Sequence, residues 1–311
     1  MQVRQVLEPD AIPSIDDPTF DTAYVGDPDD RVLALDGDPP RAYPFRILDF
    51  HEIVNDSIRG DPLTVTWCPL CASAVVYERR VDGRELTFGV SGKLADDDLV
   101  MYDRETGSEW KQSAGECIAG PLAGTALSVH PARVLRWAAF ADAHPDGVVL
   151  QPPDLPSEAA SDTDEPAPVA YDEEPYHEYF EREGFGLDAH RGGEGRAWNR
   201  TDLDPKAVVL GIERGGDAVG YPAPRVRAAG GVVTDTVGDT PVVVFATAEP
   251  HAFENPGHEF ECVDGEFRAD GTVWEPVTGE SADGRSLDPV PARRLFAFTW
   301  QDDHGPDAFY R

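Results

Sequence analysis

The sequence predicts a mainly β fold, a β-rich α+β class with few short helices, built as two tandem, internally repeated lobes. Three observations predict it. β-branched and aromatic runs are bounded by turn residues, a set of anchors occurs twice in the same order, and an acidic, Pro-rich stretch separates the two occurrences. The 311 residues, 41% of them hydrophobic, suffice for about two domains with cores of their own.

Residues 1–19 read as an N-terminal extension. The first lobe, 20–151, opens on Val32-Leu33-Ala34-Leu35 and passes Gly37 to reach Ala42-Tyr43-Pro44. A short helix is predicted over 44–56, with Pro44 near its first position and Ile47, Phe50 and Val54 at helical spacing. Strands follow at 61–67, 74–80 and 84–90, with Val81-Asp82-Gly83 as a hairpin signal between the last two. The run 133–143 suits a strand or a helix equally.

Residues 152–205, rich in Asp, Glu, Pro, Ser and Ala, read as a linker. Its middle, 171–185, carries four aromatic residues, which suits a segment lying across a lobe. The second lobe, 206–311, repeats the anchors as Val208-Val209-Leu210-Gly211-Ile212, Gly220-Tyr221-Pro222 and Gly238-Asp239-Thr240-Pro241. Gly107-Ser108-Glu109-Trp110 is echoed by Gly271-Thr272-Val273-Trp274. Leu135 to Phe140 before His144 is echoed by Leu295 to Trp300 before His304.

Charge excludes some partners. Asp and Glu total 59 against 26 Lys and Arg, a net charge of −33. No basic stripe is available for nucleic acid, and an anionic membrane surface would repel the chain. No apolar run is long enough for a membrane span or a signal peptide, so a soluble, cytoplasmic protein is expected. Only Lys93, Lys111 and Lys206 are lysines, and aspartates outnumber glutamates. That is a salt-adapted surface of haloarchaeal type, on which runs such as Asp96-Asp97-Asp98 and Asp302-Asp303 are expected to be solvated.

Cys68-Pro69-Leu70-Cys71 is the sharpest chemical feature. Two sulfurs three residues apart can share a metal or close a disulfide. A zinc site needs about four ligands, and Cys117, His51, His130 and Met101 are the candidates to complete one. Sulfur favours copper(I) or zinc over hard cations. Asp103 and Arg104 join the cysteines as candidate catalytic groups. Trp67, Ser91, Lys93, Thr106, Ser108, Trp110 and Gln112 are candidate binding residues around a small molecule. The alternative is a binding or scaffold module whose cysteines only brace a turn. Cys262 reads as core, and Ala246-Thr247-Ala248 stands where the other copy has its cysteines, so a site in one lobe alone is expected. Phe88-Gly89-Val90-Ser91-Gly92-Lys93 lacks the spacing of a phosphate loop, and Asn55 replaces the second histidine that a zinc-protease helix needs after His51-Glu52.

These strings resemble the domain-of-unknown-function family 3179. The resemblance rests on Arg41-Ala42-Tyr43-Pro44, His51 to Asp56, Thr66-Trp67-Cys68-Pro69-Leu70-Cys71, Phe88 to Gly92, Met101-Tyr102-Asp103-Arg104 and Thr106 to Gln112. It covers about 16–152 and, more weakly, 206–211. It implies no settled activity and transfers no catalytic residue.

Overall fold

A computed structural model describes residues 1–161, 163 and 165–311. The protein is mainly β with short helices, the class the sequence predicts. Among the described residues, no helix is long and apolar enough to cross a membrane. The chain divides into two compact units, 1–198 and 199–311.

In the first unit, Arg31–Leu35 and Arg41–Pro44 form a hairpin. Arg133–Arg136 flanks it antiparallel on one side and Val148–Leu150 flanks it parallel on the other. The helix Phe45–His51 follows at once, with Pro44 as its N-cap and Phe45, Ile47, Leu48 and Phe50 buried. It is shorter than the predicted 44–56. Glu52 turns the backbone to φ 54°, and Ile53–Ile58 enters a sheet instead. Val54 fits the helical spacing, but β-branched Ile53 and Val54 pair with Thr66 and Val65, and that pairing decides the outcome.

Ile53–Ile58, Asp61–Cys68 and Ser73–Glu78 make an antiparallel meander. Buried Asn55 fastens it to the strand Phe88–Ala95. Its Nδ2 donates to the Phe88 carbonyl at 2.8 Å, and its Oδ1 accepts from the Phe88 amide at 3.0 Å. That strand belongs to an antiparallel sheet in the order Val3–Gln5, Phe88–Ala95, Asp98–Asp103, Glu109–Lys111, Glu116–Ala119. Val3–Gln5 forms an edge strand of this sheet, with Val3 opposite Ala95. The hairpin signal falls at Asp82 and Gly83, both at positive φ, between Val81 and Arg84. The ambiguous run 133–143 is both things in turn, a strand to Arg136 and then the helix Trp137–Ala143.

Most of the expected linker packs onto this unit. Tyr176, Tyr179, Phe185, Leu187 and Ala189 are buried, because apolar side chains spaced among the acids give the segment a face to bury. Ser157 Oγ donates to the Phe50 carbonyl at 2.6 Å. Asp162 and Asp164 of this stretch lie outside the described residues.

In the second unit, Val208–Arg214 pairs with Asp217–Pro222 and with Arg293–Phe296. The helix Ala223–Ala228 leads to the meander Val232–Val237, Thr240–Ala246, Pro250–Glu254. Three short strands follow, Glu261–Val263, Glu266–Ala269 and Thr272–Trp274, and the helix Ala297–His304 comes after Phe296. Trp300 lies against the hairpin where Gly211 and Gly220 face each other. A Cβ on either glycine would fall 2.1 or 2.4 Å from its ring. Cys262 is exposed rather than core, since every residue of its short strand faces solvent.

Candidate functional site

Cys68 ends the strand Asp61–Cys68 and stands opposite Ser73 in register, so residues 69–72 close a hairpin. Within that turn the Ala72 amide donates to the Pro69 carbonyl at 3.2 Å, and Ala72 takes φ 45°. Tyr179, from the helix His177–Glu181, clamps the turn by donating its hydroxyl to the Leu70 carbonyl at 2.7 Å. The Cys71 thiol donates to the Asp97 carbonyl at 3.4 Å, which brings the cysteine turn against the acid run 96–98.

That run is no solvated face. Asp96 and Asp97 take φ 53° and 69° between register partners Ala95 and Asp98, the geometry of a two-residue hairpin turn. The chain reverses there and carries Asp98 inward as the first residue of the strand Asp98–Asp103, 1% exposed. Asp98 Oδ2 accepts from the Ser113 amide at 2.8 Å. Cys68, Cys71 and Asp98, all buried, each offer one ligand atom, and these atoms lie within 4.8 Å of one another.

Cys68 also borders a cavity of about 150 Å³, shared with Glu52, Lys93, Tyr176 and His190. Burial pushes the Cys68 thiol up, which opposes a thiolate unless a cation stands beside it. Glu52 is 7% exposed, and its carboxyl makes no hydrogen bond among the described residues. Burial pushes that carboxyl up to about 8, and the nearby Glu158, Asp49 and Asp98 add to the effect. Glu52 is fixed beside the cysteine strand because its carbonyl accepts from the Trp67 amide at 2.7 Å. His190 is held low by burial, with Arg191 and Arg182 adding to it.

Cys117 and His51 stand outside the three-residue group. The Cys117 thiol donates to the Ala119 carbonyl at 3.3 Å, on a strand paired with Glu109–Lys111. His51 is spent on packing, with Nδ1 3.0 Å from the Pro13 carbonyl and Nε2 2.7 Å from the Tyr171 hydroxyl. His130 lies on a two-residue strand beside Val76, and Met101 is buried between register partners Val90 and Trp110. His130 does not join the group.

Asp103 accepts from the Thr106 amide at 2.6 Å, the Thr106 hydroxyl at 2.9 Å and Trp110 Nε1 at 3.0 Å. Ser108 Oγ meets the Thr106 hydroxyl at 2.6 Å, so this rich polar string stabilises its own turn. Arg104 pairs with Asp10 at 3.0 Å and Asp16 at 3.4 Å rather than with the thiols. Ser91 donates to the Val100 carbonyl at 2.5 Å, and Lys93, though it lines the cavity, is paired with Glu109 at 2.5 Å. Trp67 Nε1 donates to Asp49 at 2.8 Å, and Gln112 Nε2 donates to the Thr66 hydroxyl at 2.7 Å, so both brace the strands that carry the cysteines. Sequence reasoning missed Asp98 and Glu52. The aspartate doublet with turn character before an apolar run was a signal for the first, and none marked the second.

No curated protein and no solved structure matches the chain. A family model does match, over residues 9–308, and on that extent the chain belongs to the family described as Protein of unknown function (DUF3179).

Proposed function

We propose that Cys68, Cys71 and Asp98 form a metal centre that acts on or senses a small molecule entering the adjoining cavity. The observation that carries this reading is the approach of three buried ligand atoms to within 4.8 Å of one another. Two thiolates and a carboxylate suit zinc, while copper(I), the other candidate, favours sulfur and nitrogen. A divalent cation also supplies what the buried thiols lack, a charge that favours their ionised form. Three protein ligands leave a fourth position, the pattern of catalytic rather than structural zinc. Contact between Cys68 and the cavity supports an open position on that side. A dithiol–disulfide couple is the second reading, favoured by the closeness of the two sulfurs, which lie within 4.8 Å of each other.

Protein purified without chelator is expected to carry one zinc per chain by elemental analysis. Cys68→Ser with Cys71→Ser should abolish it, and Asp98→Asn should weaken it by at least about tenfold. Protein with no stoichiometric zinc or copper, and a thiol count that rises on reduction, would transfer the site to the couple. A double variant that only loses stability would return the cysteines to a bracing role. We further propose that 206–311 is a degenerate copy of the first lobe that lacks this site. Its support is the shared order of hairpin, helix, meander and later strand-plus-helix, with Tyr43 donating to Asp56 at 2.5 Å and Tyr221 donating to Asp235 at 3.0 Å.

A further inference from the structure

Two polar residues, Glu52 and Tyr176, line the cavity beside Cys68. Among the described residues, neither the Glu52 carboxyl nor the Tyr176 hydroxyl makes a hydrogen bond, although Glu52 is 7% and Tyr176 9% exposed. Both residues line the cavity, so their polar atoms are open to whatever occupies it.

The surroundings specify what would fit. Glu158 lines the same cavity and Asp98 lies beside Cys68 at its border, so the Glu52 carboxyl shares the site with other carboxylates. Lys93 is engaged by Glu109, and Arg191 is exposed at the cavity's edge. An anion would be repelled by these carboxylates, whereas a cation would be attracted to them and would favour the ionised Glu52 carboxyl over its protonated form. Much of the wall is aliphatic, with Leu7, Ile12, Leu70, Val90, Leu94 and Leu99, and His190 also lines it. A volume of about 150 Å³ is comparable to cavities that admit a benzene-sized body.

We infer that this cavity binds a small aliphatic primary amine, with its ammonium group on the Glu52 carboxylate and the Tyr176 hydroxyl and its alkyl chain along the leucines. The ammonium supplies three donors, which satisfy both oxygen groups. The inference shares a cavity with the proposed metal centre and does not rest on it.

Isothermal calorimetry on the full chain with n-butylamine, 1-pentanol and pentanoate at one pH and salt concentration is the test. The amine is expected to bind at least tenfold more tightly than the alcohol, with no binding of the carboxylate. Glu52→Gln should weaken the amine at least tenfold, and Tyr176→Phe about threefold, without loss of folded circular dichroism. Equal binding of amine and alcohol, or amine binding unchanged in Glu52→Gln, overturns the inference. So does a failure of the amine to bind. If Glu52→Gln does not fold, the comparison of three ligands on the native protein decides. The same titration on Cys68→Ser with Cys71→Ser separates the two readings. Amine binding retained there keeps the inference whatever the metal content, and amine binding lost together with the metal assigns the amine to the metal and overturns it.

Discussion

Glu52 makes stability depend on pH in a direction unusual for a carboxylate. Its carboxyl lies at about 8 in the folded chain against an ordinary 4.5. Between those values the folded state holds a proton that the unfolded state has released, so stability falls as pH rises from 4.5 and levels off above 8. His51 works the other way. Burial holds it at about 4 against 6.5, so its contribution is present above 6.5 and is lost as pH falls toward 4. Above pH 6.5 only the glutamate contribution varies of the two. Glu52→Gln is therefore expected to remove much of the decline between pH 6.5 and 8.5, a difference of roughly 1–3 kcal/mol measured by urea unfolding at each pH. Parallel curves for the two proteins would show that Glu52 ionises freely. None of this was legible in the sequence, where Glu52 was one letter in a string read as helix. Its burial depends on where the helix stops, and the signal for that is the pairing of 53–58 with a strand beyond it. Cys68 and Cys71 were legible because their spacing alone carries chemistry. Asp103, Arg104 and Thr106 looked equally chemical, yet their polar atoms are used on one another and on Asp10 and Asp16.

Among the elements, strands are legible wherever alternation and turn residues agree, as in the expected 61–67, which extends to Cys68, and at the Asp82-Gly83 turn. The acid run was misread because its role lies in backbone conformation. Aspartate tolerates the left-handed region, so Asp96-Asp97 serves as a tight turn that delivers Asp98 to the core. Gly211 and Gly220 have a comparable meaning in the second unit. Neither needs positive φ, and both are required by the close approach of Trp300, whose Nε1 donates to the Ala308 carbonyl at 2.6 Å. Gly211→Ala must displace a fully buried indole and is expected to cost about 1–3 kcal/mol or more, with altered tryptophan fluorescence in the folded state. A loss under about 0.5 kcal/mol would mean that the indole can shift freely, against the packing described. Gly216, where an added Cβ meets nothing within 4 Å, lies at φ 92° and offers a contrast in which backbone strain acts alone.

At the scale of the whole molecule, charge dominates. Even if each of the 26 cations were paired with one carboxylate, 33 of the 59 acids would remain uncompensated. Many observed pairs are exposed, such as Arg136 with Asp29 and Arg268 with Glu266, and exposed pairs contribute little. Salt therefore has two opposed effects, weakening those pairs and screening the excess acids from one another. The second effect should win, because the uncompensated charges outnumber the cations available for pairing. The Debye length is about 10 Å at 0.1 M and about 3 Å at 1 M, a change that spans the spacing of neighbouring surface carboxylates. Raising sodium chloride from 0.1 to 1 M is expected to raise the melting temperature by about 5 °C or more. Sucrose at matched osmolality separates screening from general solute exclusion, since a neutral osmolyte stabilises without screening. A melting temperature that stays flat with salt, or rises equally with sucrose, would remove the salt-adapted reading. A rise specific to salt would make dilute buffer a destabilising condition, so the metal and amine measurements belong in molar salt.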